Sequence, residues 1–205
     1  MTTPCSSPLA VVLLAFDGME ALDFAGPFEV FTTASRMAQR LQMPAPFVVH
    51  SVSVAGLPVT ARAGLRVLPD ASLANGPAAD LVLVPGGVMD HPLTCPATLE
   101  WIAQASAGAR LTASVCTGVF ALAKAGVVHS GPVTTHWEDS EDLRRQWPSL
   151  EVVSGVRWVD QGHVVTSAGI SAGIDMCLHL VARLSSPALA ERTARQMDYP
   201  WDGAP

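Results

Sequence analysis

The stretch "LTASVCTGVFALAKAG" (111–126) holds the residue best placed to do chemistry. Leu111 to Val115 reads as a short buried strand, and Val119 to Ala125 as a helix buried on most sides, closed by Gly126 as a C-cap. Cys116 falls in the turn between them. A side chain at a strand-to-helix turn can stand over the sheet edge, where it faces the first, unpaired and partly positive amides of the helix. That setting predicts a thiol pKa below its ordinary value. It also offers backbone N–H groups to an anionic intermediate. The competing reading is a small buried hydrophobe, the usual fate of a free cysteine.

The other thiols read differently. The chain has 205 residues and four cysteines, at positions 5, 95, 116 and 177, with no C-x-x-C spacing. A disulfide framework or a cysteine zinc site does not fit that pattern. Cys5 lies in a polar, loose N-terminus, and Cys95 in a loop leading into a helix. Cys177 sits on an apolar helical stripe with Ile174, Leu178, Val181 and Leu184, which is core spacing. The histidines at 50, 91, 129, 136, 163 and 179 show no H-x-H or H-E-x-x-H pattern, so no metal site is expected.

Bulk properties bound the rest. Hydrophobic residues make up 49% and charged residues 15%, enough for one domain with a full core. The net charge of -6, with no run of Lys or Arg, argues against direct nucleic-acid binding. The early apolar run "LAVVLLAF" has eight residues, too short to span a membrane. No basic residue precedes it and no small-residue cleavage site follows, so it reads as the first strand of a cytoplasmic protein.

Strands and helices alternate along the chain. Strands are expected at 8–16, 47–54, in "DLVLVPGG", in "LTASV" and in "PVTTHW". "PVTARAGLRVLPDASL" reads as a hairpin or arm on the edge. "EVVSGVRWVDQGHVVTSAG" reads as paired short strands with turns at Ser154-Gly155 and Gln161-Gly162. Helices are expected from Gly26, with Pro27 near the first turn, in "TLEWIAQASAGA", after Cys116, in "EDSEDLRRQW", in "SAGIDMCLHLVARL" and in "PALAERTARQM". This order predicts an α/β fold: a mostly parallel sheet with helices on both faces. The domain spans 8–197, after a disordered segment 1–7 and before a tail 198–205 that is frayed or packed on a neighbour. A site in such a sheet lies at the carboxyl ends of the strands. Three exits are candidates to meet there: Asp17 to Asp23, Pro85-Gly86-Gly87, and Cys116-Thr117.

"LDFAGPFEVF", "VPGG", "ASVCTGVFALAKAGV", "TTHWED" and "VTSAGISAGIDMCLHL", in that order, resemble the ThiJ/PfpI superfamily over about residues 8–185. Within it they are most similar to the isonitrile (isocyanide) hydratase-like branch. The resemblance implies a flavodoxin-like, class I glutamine amidotransferase-like sandwich, a nucleophile-elbow cysteine, and a homodimer. It implies Cys116 as nucleophile, Asp23 as the acid beside it, and backbone N–H groups of Gly87 and Thr117 as an oxyanion pocket. His136 matches a histidine found near the cysteine in many members. Thr117 stands where peptidase members carry His, which argues against proteolysis. Related domains form the sensor half of AraC-type transcription regulators, and no basic helix-turn-helix follows residue 185 here.

Alternatives remain at each position. Asp23 would also serve as a helix cap. Glu29 becomes the acid if the helix starts earlier than expected. His136 would also serve as a satisfied polar residue, and Gly86-Gly87 as a plain turn. Trp137 and Trp158 line a pocket or an interface, or simply pack. The leading expectation is a cofactor-independent hydro-lyase that turns a small isocyanide into an N-formamide through a Cys116 thioimidate. The rivals are a redox-sensing or non-catalytic domain, in which the thiol is oxidised but turns nothing over, and a glyoxalase/deglycase-like stress protein.

Overall fold

The runs "LAVVLL", "LVLV", "LTASV" and "VVTS" are apolar or β-branched almost throughout. Strands of this kind belong in a sheet covered on both faces. In the computed structural model, which describes residues 7–205, they are the central strands. Cys5 and all of the segment read as disordered except Ser7 lie outside the described residues. In chain order the first half comprises β1 (Leu9–Leu14), α1 (Ala21–Arg40), β2 (Phe47–Ser53), β3 (Val59–Thr60), β4 (Arg66–Val67), β5 (Ala71–Ser72), β6 (Leu81–Val84) and α2 (Pro96–Gly108). The second half comprises β7 (Leu111–Val115), α3 (Gly118–Lys124), β8 (Gly131–Val133), a 3-10 turn (Trp137–Asp139), α4 (Ser140–Gln146), β9 (Leu150–Val152), β10 (Trp158–Asp160), β11 (Val164–Ser167), α5 (Ala172–Leu184) and α6 (Pro187–Gln196).

The main sheet runs β10-β11-β7-β6-β1-β2-β5. Its neighbours are parallel except for the β10–β11 hairpin. From β1 the chain steps outward to β2, then returns to the other side for β6 and β7. Strand order therefore reverses between β1 and β6, and the crevice beyond their carboxyl ends is the place for a site. Right-handed crossovers taken in opposite directions put helices on both faces. Helices α1, α5 and α6 pack against one another, as do α2 and α3. The expected α/β sandwich is present.

Local details depart from expectation. Helix α1 starts at Ala21, not Gly26, so Pro27 lies inside it. The rule that proline belongs in a first turn is overridden by packing on α5: a Cβ added at Gly26 would lie 3.1 Å from Ile174 Cγ1. Of the strand pairs expected in "EVVSGVRWVDQGHVVTSAG", only the Gln161-Gly162 hairpin forms. Strand β9 pairs instead with β8, in a separate two-stranded sheet. The C-terminal tail lies on this chain's own α5, where the Tyr199 hydroxyl donates to Asp175 at 2.9 Å. Cys177 is fully buried on α5, and burial pushes its thiol pKa up. Trp158 is core, stacked on His179, whereas Trp137 is exposed. Among the described residues no helix is long and apolar enough to cross a membrane.

The turn after β7 depends on one close approach. A Cβ at Gly118 would lie 2.3 Å from the Val84 carbonyl oxygen, so α3 starts against β6 with no room for a side chain. Gly118→Ala must push helix from strand. The expected loss is about 1–3 kcal/mol, read as a lower urea midpoint. An unchanged midpoint would show that the contact is dispensable.

Candidate active site

Three strand exits meet as the topology requires. Beyond β1, the first turn of α1 carries Asp23, with no exposed surface. Beyond β6 lie Gly86 and Gly87, and beyond β7 lies Cys116. Cys116 has φ of 56°, in the left-handed region that costs a non-glycine residue of order 1–3 kcal/mol. Three contacts hold it there. Its N–H donates to the Ser167 and Ala168 carbonyls at 3.2 and 3.3 Å, and its carbonyl accepts from Thr135 Oγ1 at 2.9 Å. Strand β11 and the segment after β8 thus lock the elbow from outside.

The Asp23 carboxyl lies beside the thiol, and the two ionisations act on each other. Asp23 Oδ2 accepts from Gly86 N–H at 3.0 Å, while Oδ1 has no hydrogen-bond partner of ordinary geometry. Burial lifts the Asp23 pKa to about 7; the Gly86 bond opposes the rise and Glu20 adds to it. Burial and the facing carboxylate push the Cys116 thiol up to about 12, against the pull of the Thr117 and Ile170 N–H groups. The expected depression of the Cys116 pKa is therefore reversed. Two amides do not outweigh desolvation plus a neighbouring anion. The pair instead carries two protons below about pH 7 and a single one, on sulfur, above it. Among the described cysteines the lowered pKa is that of Cys95, the N-cap of α2, through hydrogen bonds from Thr98.

The expected oxyanion pair needs a correction. Gly87 N–H donates to Thr117 Oγ1 at 2.9 Å, and that hydroxyl donates back to the Gly87 carbonyl at 3.1 Å. Gly86 N–H is taken by Asp23. The amides acting on the sulfur are those of Thr117 and Ile170. Gly86 is still needed for its size, since a Cβ there would lie 2.6 Å from Thr117 N and 2.9 Å from Asp23 Oδ2. Glu29 is not brought to the site: although α1 starts early, its Oε1 accepts from Thr33 and Arg36. His136 does border it. The ring packs on Gly169, and its Nδ1 accepts from Glu138 N–H at 3.3 Å and lies 3.5 Å from Asp139 Oδ2.

A cavity of about 220 Å³ opens over Cys116, with Glu20, Arg62, His136, Glu138, Asp139 and Ile170 in its wall. Sequence reading missed Arg62, because it sits on the β3–β4 arm with no local signal of its destination. It missed Ile170 too, although "SAGIS" is a fourth strand exit, directly after β11, and could have been counted with the other three.

The buried acid predicts a pH signature. The folded pKa of Asp23 is raised above its ordinary value, so its neutral form favours folding. That contribution is full below about pH 3.8 and is lost progressively as pH rises to about 7. Asp23→Asn keeps the acceptor for Gly86 N–H and removes the titration. Between pH 5 and 8 the wild-type urea midpoint should fall by a margin the variant does not show, each pKa unit being worth about 1.4 kcal/mol. Removing the facing anion should also make Cys116 alkylate faster at pH 8. Equal pH dependence in the two proteins would refute the buried-acid assignment.

The geometry agrees with the similarities of the chain. The DJ-1/PfpI family matches residues 9–183. An isonitrile hydratase from Pseudomonas putida is 32% identical over 93% of this chain and 78% of its own. The HTH-type transcriptional regulator GbdR from Pseudomonas aeruginosa is 34% identical over 94% of this chain, which spans only 51% of the regulator. A solved ThiJ/PfpI family protein from Pseudomonas syringae superimposes with a TM-score of 0.82 at 28% identity, covering 97% of this chain and 78% of that one. With the family's fold, its motifs in order and a cysteine at the elbow, the chain belongs to the DJ-1/PfpI family.

Proposed function

We propose that this chain is a cysteine-dependent hydratase of the isocyanide type, with Cys116 as nucleophile and Asp23 as the proton-transferring acid. The observation that carries the reading is the buried Asp23 carboxyl beside the thiol, with a pKa near 7 and one oxygen free of partners. Such a group can take and return a proton at neutral pH. The Cys116 sulfur attacks the terminal carbon of R–N≡C. The thiol proton passes through Asp23 to that same carbon, giving the thioimidate Cys–S–CH=N–R. Asp23, now a carboxylate, takes a proton from water as its oxygen adds to the carbon. Asp23 gives that proton to the nitrogen, the C–S bond breaks as the added hydroxyl becomes the carbonyl, and the hydroxyl proton goes to the leaving sulfur, so R–NH–CHO departs with the thiol and the carboxylate restored. The Thr117 and Ile170 N–H groups steady the sulfur while it carries charge.

The small cavity fits this chemistry. Its wall carries Glu20, Glu138 and Asp139 against Arg62 and His136, so a neutral head group enters without charge repulsion. Glyoxalase and peptidase activities have no comparable support. The rival is a non-catalytic sensing domain, favoured by the similarity to GbdR. An oxidation sensor is the weaker form of that rival, because susceptibility follows thiolate character and here the sulfur holds its proton.

The proposal includes a homodimer. It is supported by a mean hydropathy of +0.33 and by Leu57, Leu65 and Leu68, each more than half exposed on the β3–β4 arm. Light scattering should give twice the chain mass at micromolar concentration, and a monomer mass would remove the dimer from the proposal. For the activity, purified protein mixed with an aryl isocyanide should yield formamide. Cys116→Ser should lose at least about 99% of the yield, because an alcohol is a far weaker acid and nucleophile than a thiol and the Asp23 carboxylate alone does not activate it. Asp23→Asn should lose turnover while its thiol alkylates faster than in wild type. Equal yields from wild type and Cys116→Ser would end the hydratase reading in favour of the sensor.

A further inference from the structure

The Ala168 carbonyl accepts from Cys116 N–H at 3.3 Å, and Ile170, two residues on, walls the cavity over that thiol, yet the Ile170 backbone is not at rest. Its φ is 44°, a left-handed conformation that a β-branched residue keeps only when the surroundings impose it. The segment 168–171 shows what imposes it. On one side of Ile170, the Ala168 N–H donates to the Arg157 carbonyl at 2.9 Å. On the other, the Arg157 guanidinium donates through Nη2 to Ser171 Oγ at 3.2 Å. One residue thus grips the segment at both ends, by its main chain and by its side chain.

Arg157 is held in turn. Its Nε donates to Asp175 Oδ2 at 2.8 Å, and its Nη2 bonds the same oxygen. Asp175 lies in the first turn of α5 and is 7% exposed. Its Oδ2 also accepts from the Tyr199 hydroxyl at 2.9 Å, which lies 3.4 Å from Arg157 Nη2. Tyr199 comes from the tail beyond α6.

We propose that Arg157, backed by Asp175 and by Tyr199 of the C-terminal tail, is a positioning residue that holds the segment 168–171, with Ile170 at its tip, against the Cys116 elbow. This rests on Cys116 as the reacting thiol, but not on which reaction it performs. The fork of the guanidinium is essential. It engages a carboxylate and a hydroxyl at once in a fixed plane, which the single ammonium of lysine does not reproduce. A neighbouring network supplies the control. Arg183 donates to Asp160 at 2.9 Å and to the Gly162 carbonyl at 2.7 Å, tying the same helix α5 to the same hairpin without touching 168–171.

The test is the pH profile of iodoacetamide labelling at Cys116, read by peptide mass on the full chain, with Cys95 as internal reference. If the segment withdraws from the elbow, the pull that Ile170 N–H exerts on the thiol pKa is lost and that pKa rises. Arg157→Lys should therefore move the Cys116 profile up by about one pH unit, labelling roughly tenfold slower at fixed pH, with Cys95 unchanged. Tyr199→Phe should move it the same way by less. Arg183→Lys should lower thermal stability and leave the profile in place. A wild-type profile in folded Arg157→Lys, or an equal shift in Arg183→Lys, overturns the proposal. Should Arg157→Lys not fold, Tyr199→Phe decides: an unmoved Cys116 profile in that variant overturns it. Formamide is not measured, so failure here is separate from failure of the hydratase reading.

Discussion

The site holds a thiol and a carboxyl in a space that solvates one negative charge poorly and two not at all. Asp23 is fully buried and Cys116 is 8% exposed. Asp23 raises the thiol's affinity for its proton, whereas the thiol, as a hydrogen-bond donor, lowers that of Asp23; Glu20 pushes Asp23 up and Asp139 pushes Cys116 up. The compensating donors are few: Gly86 N–H on the carboxylate, and the Thr117 and Ile170 N–H groups on the sulfur. A pair in this balance is poor as a standing thiolate. It is suited to a reaction in which the proton removed from sulfur is wanted a few ångströms away. This separates the site from cysteines activated by a neighbouring cation, which lowers the thiol pKa outright.

Much of the arrangement is a consequence of that constraint. A carboxyl can be brought under the elbow only if α1 begins early, at Ala21, so that Asp23 falls in its first turn facing the sheet. That leaves Pro27 inside the helix, a departure from local propensity that packing against α5 offsets. The Gly86-Gly87 pair follows from the same crowding. Gly86 passes between Thr117 and Asp23, and a Cβ at Gly87 would lie 2.4 Å from the Gly18 carbonyl oxygen. Residues that break a local rule gather at the site, as expected where function competes with propensity.

This also explains what was legible in the amino-acid sequence. The parallel sheet, the elbow at Cys116 and the meeting of three strand exits were readable, because apolar runs and turn residues are local signals. The start of α1 was not, since Pro27 reads locally as a first-turn residue and only the packed structure shows it inside the helix. The sign of the Cys116 pKa shift was not, because the helix amides are visible in sequence while burial and the distance to Asp23 are not. The expectation for Gly87 failed similarly. A motif places an N–H at the turn, but only coordinates show that the Thr117 hydroxyl has already taken it. Arg62 and Ile170 reach the cavity through an edge arm and a fourth strand exit, where no residue pattern announces a destination.

The contrast between the two ends of the thiol's environment is the last step. On its inner side the sulfur meets groups fixed by the sheet: Asp23 on α1, and Thr117 at the start of α3. On its outer side it meets Ile170, in a strained segment held by side-chain bonds that run out to Tyr199 at the chain's C-terminus. Bonds of that kind, to a charged group, are individually worth about 1.5–3 kcal/mol, far less than the sheet and helix packing that fixes the inner side, so the outer contact is the softer of the two. In a pair that exchanges one proton, a small displacement there changes how much charge the sulfur carries, while Asp23 stays where the sheet holds it. The inner half fixes the chemistry available, and the outer half sets how readily the thiol enters it.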